Sequence, residues 1–407
     1  TGCQVTSILA AINDAIADRV DVINYSIGGG PQNPWDAPDS EAYLNAREAG
    51  VFVATSAGND GPDPGTLGSP ANSPWMISVA NTTIGRIIAN TLDVTGPGDV
   101  PPALMGIGAI RGPEGPAIDA DIEAAIVFAD DNIRGCLPFP TGFFTNSIAL
   151  IQRGGCTFAD KVDNATDAGA IAVVIFNNAG GPPMSMGGLE GTTIPSVFIS
   201  LDDGRAVVNW IQAKTNPTAR INAGSHRVVN PAWADILAAS SSRGPNVNAD
   251  LIKPDIAAPG TNIFAAYAGD AESFGMMSGT SMASPHVAGA GALMKALHDD
   301  WSDAEIQSAL MMTSKGGVLK EDASTDADPF DVGAGRLDLT GAALAGLVLD
   351  ETKANFEAAD PAGGGDPTTL NLASLGNSQC LQECSWERTF RNTTGEAVTW
   401  EISSTGD

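Results

Sequence analysis

Two short runs carry residue types that could do chemistry. In the first, Met277-Ser278-Gly279-Thr280-Ser281-Met282-Ala283-Ser284-Pro285-His286-Val287-Ala288-Gly289, a serine opens a small and apolar stretch that reads as a buried helix from Ser281 to Leu297. Pro285 lies close enough to its start to be tolerated. A hydroxyl at that point sits beside the unpaired N–H groups and the positive dipole end of the helix, which favour negative charge developing nearby, so Ser281 is a candidate nucleophile. The second run, Ser56-Ala57-Gly58-Asn59-Asp60-Gly61, is a small-residue turn at a strand end, where sites form in mostly parallel sheets. Alone, such an Asn-Asp-Gly is more often a turn than a site.

The elements that must position these residues are legible in the apolar spacing. Val5, Ile8, Leu9, Ile12 and Ile16 form a helical stripe, and Val20 to Ile27 reads as a buried strand ended by Gly28-Gly29-Gly30. A helix over about 40–48 and a strand over 51–54 follow, and the second run begins where that strand ends. Helix and strand in alternation imply right-handed crossovers in a mostly parallel sheet, whose sites form at the carboxyl ends of strands. Ser26, Ile27, Gly28, Gly29, Ala57 and Gly58 occupy two such ends. Further along, 256–260 and 263–266 are short apolar segments, and Ser302 with Glu305 has capping-box spacing for a helix through Met312.

The block from Gly279 to Gly289 resembles the nucleophile motif of the subtilisin-like serine proteases, the subtilases. Asn24-Tyr25-Ser26-Ile27-Gly28-Gly29, Ala57-Gly58-Asn59-Asp60-Gly61, and Ser241-Ser242-Arg243-Gly244-Pro245 leading to Lys253-Pro254-Asp255-Ile256-Ala257-Ala258-Pro259-Gly260 fall in the order of that family. The resemblance covers about residues 1–80 and 232–345. It implies a subtilisin-like α/β fold, with Ser281 as the acylating nucleophile and Asn59 with the Ser281 N–H as oxyanion donors. Ser26 to Gly29, with Ala57 and Gly58, would bind substrate, the first of these segments pairing with an extended peptide backbone. Neither a cofactor nor a metal is implied.

A serine protease of this type also needs a histidine and a carboxylate. The chain has three histidines, and no Asp-x-Gly followed by His-Gly-Thr-His is present. His286, five residues after Ser281, points about 140° away on the same helix and is expected to be a packed structural residue. His226 and His298 match nothing. The expectation is therefore a fragment: the triad Asp and His lie upstream, and the chain alone is inactive.

Between Ala80 and Ser240 the sequence is far longer than a connection requires. It reads as a strand and turn over 148–158, a helix over 159–168, strands over 171–178 and 194–200, and a helix over 201–212. This block resembles a protease-associated domain, a non-catalytic α+β insert, and such a resemblance implies a role in substrate access or protein contacts. The expected organisation is 1–95 and 226–349 for the two parts of the catalytic domain and 96–225 for the insert. Residues 350–407 would be a linker, centred on 351–366, and the opening of a fibronectin type III-like β-sandwich with strands over 369–373, 386–392 and 397–402.

Five cysteines are present. Cys136 with Cys156 is read as a disulfide because neither histidine ligands nor a basic neighbourhood suits a metal or a reactive thiol there, and Cys380 with Cys384 is read as a second close pair. Cys3 is left over, and the disulfide reading carries the expectation of an extracellular compartment. The acidic loop holding Glu321, Asp322, Asp326, Asp328 and Asp331 has no EF-hand spacing and reads as a solvated face.

With 48 acidic and 20 basic residues the net charge is −28, which argues against nucleic acid as a partner. No apolar run approaches the length of a membrane span. The leading reading is a secreted endopeptidase acting on proteins or peptides. A non-catalytic peptide-binding relative is the alternative, and an α/β-hydrolase esterase is disfavoured because Ser281 lacks a Gly-x-Ser-x-Gly elbow.

Overall fold

The computed structural model of the chain describes residues 3–245, 250–268 and 273–401. Thr1, and Ile402 of the last expected strand, lie outside these residues.

The first third of the chain alternates as its apolar spacing dictates. Helix α1 (Val5–Ala17) turns Ile8, Ile12 and Ile16 toward Tyr25 and Tyr43, and strand β1 (Val22–Tyr25) follows it. Helix α2 (Pro38–Glu48) opens with Pro at its first position and Asp39 and Glu41 in its first turn, and ends on Arg47, charges that complement the helix dipole. Strands β2 (Phe52–Ser56) and β3 (Ile77–Thr82) are buried along their whole length, as parallel strands covered on both faces must be.

Residues 86–229 then leave this sheet and close a barrel of their own. Its strands are β4 (Arg86–Gly96), β5 (Ile107–Arg111), β6 (Ile122–Phe128), β7 (Ser147–Gln152), β8 (Ala172–Phe176), β9 (Ser196–Ile199) and β10 (Thr218–Val229), in the order β10-β4-β5-β9-β8-β7-β6. From β6 through β9 the pairing is parallel, and the other pairs are antiparallel. Two helices fill the crossovers. Helix α3 (Phe158–Asp167) starts at a reciprocal Thr157/Asp160 capping box, and α4 (Leu201–Ala213) at a Ser200 cap. The barrel begins before and ends after the 96–225 span expected for the insert, because β4 and β10 are the long pair that closes it.

After the barrel the chain returns to the first sheet with β11 (Ile256–Pro259), which pairs in parallel with β3. The order β1-β2-β3-β11 leaves β1 at an edge. A hairpin of β12 (Ile263–Ala266) and β13 (Phe274–Met277) leads into α5 (Thr280–Leu297), which packs across the sheet through Ala283, Val287, Ala290 and Met294. Helix α6 (Asp303–Met312) carries the expected Ser302/Glu305 capping box. No helix among the described residues is long and apolar enough to cross a membrane.

The carboxyl-terminal segment departs from its sequence reading. Residues 351–366 do not form a free linker: the short helix Lys353–Ala358 buries Phe356 fully against Trp75, with ring centroids 5.8 Å apart, and Leu370 joins the same core. Ala359 packs in the same core, and the Trp35 indole N–H donates to the Phe356 carbonyl at 2.7 Å. Of the three expected strands, only Phe390–Asn392 is one, and it pairs with Leu347–Leu349 rather than with a neighbour in a sandwich. Its alternation is satisfied by the edge already there. The Cys136–Cys156 and Cys380–Cys384 disulfides are formed, each with Cα atoms 5.7 Å apart, and Cys3 is exposed.

Candidate active site

Ser281 is the second residue of α5, within the first turn, where N–H groups lack intrahelical acceptors. Its Oγ lies 3.5 Å from the Ser26 carbonyl, and the Ser26 hydroxyl donates to the Ser281 carbonyl at 3.0 Å. Ser284, one turn on, donates to Asn24 at 2.7 Å. The end of β1 and the start of α5 are thus tied together by three hydroxyls. Ile27 is exposed beyond them, and Gly29 forms a two-bond bridge with Ser69 at 2.9 and 3.2 Å. The Ser26 to Gly29 segment therefore leaves the sheet after Tyr25 instead of extending β1. The glycines end the strand, and the Ser69 bridge takes up one edge of Gly29.

Asn59 faces this serine from the turn after β2. Its Oδ1 accepts from the Thr280 N–H at 3.0 Å and lies 3.1 Å from the Thr280 hydroxyl, which also accepts from the Gly58 N–H at 3.2 Å. With its oxygen occupied, the Asn59 side chain presents its NH2 group as the free end. Gly58 holds φ +110°, and a Cβ there would come within 2.7 Å of the Ser242 hydroxyl, so the position requires glycine. Gly279, at φ +155°, lets the Asn59 side chain lie against the backbone directly before Thr280. Ser242 completes the hold by accepting from the Asp60 N–H at 3.1 Å and donating its own N–H to the Gly58 carbonyl at 3.0 Å.

Ser26, Gly28, Gly29, Ala57, Gly58, Asn59 and Ser281 line one cleft of about 380 Å³; Ile27 does not. The two buried latches, Thr280 and Ser242, were missed in the sequence. Thr280 stands beside the serine in an obvious motif, but its partners are more than 200 residues away in the chain.

The histidines are engaged elsewhere. His226 Nε2 lies 3.1 Å from the Ala223 carbonyl, His298 stacks on Trp301 with centroids 3.9 Å apart, and His286 Nδ1 lies 2.9 Å from the Met282 carbonyl. His286 is exposed, not packed as expected, because the α5 face that carries it is uncovered. The same face exposes Leu293 and Leu297 by 59% and 58%.

Behind the site, charge is buried in pairs. Lys253 and Asp255 meet at 2.6 Å with almost no exposure, and Asp255 also accepts from the Ser78 N–H at 2.7 Å, which fastens β11 to β3. Burial lowers the Lys253 pKa and raises that of Asp255, the pair partly offsetting both shifts. The acidic loop is a solvated face only in part: Asp322, Asp326 and Asp328 are exposed, whereas Asp331 is buried. Arg243 is buried and bridges Asp331 at 2.8 Å and Glu321 at 2.9 Å, while Lys320 reaches Asp328 and Asp331. Burial works to raise the Asp331 pKa, and the Asp328 N–H, Lys320 and Arg243 outweigh it, leaving the carboxyl below its usual range. Asp331 was drawn inward by an arginine that is distant in sequence. No cluster able to hold a metal occurs among the described residues.

The sequence model of the subtilase family matches residues 1–335. Among curated proteins, a subtilisin-like protease of Arabidopsis thaliana, SBT1.3, is 34% identical over 378 residues, which is 86% of this chain and 47% of the relative. The minor extracellular protease Vpr of Bacillus subtilis is 34% identical over 341 residues, 81% of this chain and 39% of that protein. The chain thus spans about half the length, or less, of these relatives. Among solved structures, the psychrophilic subtilisin-like protease Apa1 of Pseudoalteromonas sp. AS-11 matches with 18% identity and a TM-score of 0.47, over 82% of this chain and 72% of that one.

Proposed function

The chain belongs to the subtilase family of serine peptidases, and from that premise we propose that it carries the nucleophile and oxyanion half of a secreted endopeptidase. Ser281 Oγ attacks the scissile carbonyl carbon, its proton passing to a base, and the carbonyl oxygen becomes the oxyanion. The Asn59 amide and the Ser281 N–H donate to that oxygen. The intermediate collapses to an acyl-Ser281 as the protonated amine leaves, and water releases the acid. The observation that carries this reading is the shared cleft of Ser281 and Asn59, with Thr280 holding the Asn59 oxygen so that its NH2 faces outward.

The base and its orienting carboxylate come from polypeptide outside these 407 residues, since none of the three histidines lines the Ser281 cleft. The uncovered face of α5 and the free edge of β1 flank Ser281, where such polypeptide would pack. The barrel serves as a protease-associated domain at the rim of the site. Both disulfides and the extracellular relative favour secretion. The test is peptide hydrolysis by the full-length protein and by the 407-residue chain. Activity only in the former, abolished by Ser281→Ala, supports the reading, whereas activity in the chain alone refutes the assignment of the base. A full-length protein that binds peptides without cleaving them would instead be the non-catalytic relative.

A further inference from the structure

A second cleft, of about 620 Å³, lies between the barrel and the catalytic sheet. The barrel contributes Arg153, Asn177 and the loop through Met184, and the sheet side contributes Ile236 to Ser240 with Met276, Met277 and Ser278. It shares no lining residue with the Ser281 cleft, yet Ser278 of this cleft and Ser281 of the other are three residues apart in the chain. Asn262 ties the walls together: its side chain donates to the Pro183 carbonyl of the barrel at 2.9 Å, and its N–H to the Ser278 hydroxyl at 2.9 Å.

Two charged side chains, Arg153 and Glu321, line the cleft among apolar and neutral polar residues. Glu321 is committed to Arg243 at 2.9 Å. Arg153 is half-buried, and among the described residues its one side-chain partner is the neutral Asn177, at 3.1 Å. Burial lowers its pKa, and no carboxylate offsets the effect. In a chain of net charge −28, Arg153 faces the cleft with no ion pair among the described residues, which leaves its guanidinium suited to an external carboxylate.

We propose that this cleft receives the leaving-group side of the polypeptide substrate, seating an apolar side chain against Met184, Met276 and Ile236 and an acidic side chain on Arg153. The inference rests on the peptidase reading for the direction of the substrate. Acyl-side residues occupy the cleft of Ser26 to Gly29 and Asn59, and the chain beyond the scissile bond then runs past Ser278 toward the barrel. In this way the barrel selects substrate directly, by charge, and not only by access.

The test uses the 407-residue chain carrying Ser281→Ala and dye-labelled hexapeptides that pair leucine with aspartate, asparagine or lysine, read by fluorescence anisotropy. The aspartate peptide is expected to bind about tenfold more tightly than the lysine peptide. Arg153→Met should erase the difference and Arg153→Glu should reverse it, with thermal unfolding of Arg153→Met unchanged. Equal binding of the three peptides, or an aspartate preference that survives Arg153→Glu, would overturn the proposal. This binding needs no hydrolysis, so a full-length protein that cannot cleave peptides would refute the peptidase reading and the substrate direction taken from it, while the Arg153 preference stands or falls on the binding data alone.

Discussion

Thr280→Val is the sharpest probe of how the site is held. Thr280 is fully buried, and valine keeps its shape while removing one hydroxyl. That hydroxyl accepts from the Gly58 N–H at 3.2 Å and stands 3.1 Å from Asn59 Oδ1, whereas the second hold on Asn59, from the Thr280 N–H at 3.0 Å, survives the change. A buried N–H left without a partner costs about 1–3 kcal/mol, so the variant should lose stability of that order in urea or thermal unfolding. Its effect on turnover is bounded by what Asn59 itself supplies. For subtilisin, a member of this same family and not an independent case, that donor is worth about 2.7–4 kcal/mol. Losing one of two holds should cost roughly 1 kcal/mol of transition-state stabilisation, about five- to tenfold in kcat with KM unchanged, because the oxyanion exists only in the transition state. In full-length protein carrying Asn59→Ala, Thr280→Val should cost no further turnover. An equal loss of kcat in both backgrounds would refute the positioning role, since Thr280 would then be acting through something other than Asn59.

Asp255→Ala should destabilise the chain by about 3–5 kcal/mol, since it leaves the buried Lys253 ammonium with only the Met76 carbonyl for company. Adding Lys253→Met should recover much of that loss in denaturant titrations, and a double variant less stable than the single one would contradict the buried-charge argument. Lys161 offers a pH test. It is buried beside the Cys136–Cys156 disulfide and the carbonyls of Arg134 and Gly154, and burial, with some repulsion from Arg134, brings its pKa from 10.5 down to about 8. Between those values the unfolded chain holds a proton that the folded chain has released. Stability should therefore be flat below pH 8 and rise by up to about 3 kcal/mol toward pH 10. Lys161→Met should abolish the rise, and a parallel slope in parent and variant would rule Lys161 out as its source. Above pH 10 the buried Tyr25, pushed up to about 12, works in the opposite direction.

The parts of this protein that were legible in its sequence are those set by local spacing. The stripe from Val5 to Ile16 gave α1, the Ser302/Glu305 pair gave the start of α6, and the small residues after Gly279 gave α5, because each pattern reports on neighbours within a few residues. The Ser281 and Asn59 motifs were recognisable, and the geometry brings them to one cleft. Contacts between distant segments were not legible. Thr280 meets Gly58 and Asn59 across the fold, Arg243 turns Asp331 inward, and Phe356 docks on Trp75, each against the local impression of a helix start, a solvated acidic loop and a linker. Strands β4 and β10 went unread for a similar reason: their long pairing includes a register shift between Asn222 and His226, and β10 loses its regular burial there.

The central claim is that Ser281 is a nucleophile whose base comes from outside this chain. It is tested most directly by treating the full-length protein and the 407-residue chain with a fluorophosphonate and locating the adduct by peptide mass. We expect labelling at Ser281 in the full-length protein, lost in Ser281→Ala, and none in the isolated chain. Rapid labelling of Ser281 in the isolated chain, or none in a folded full-length protein, would contradict it.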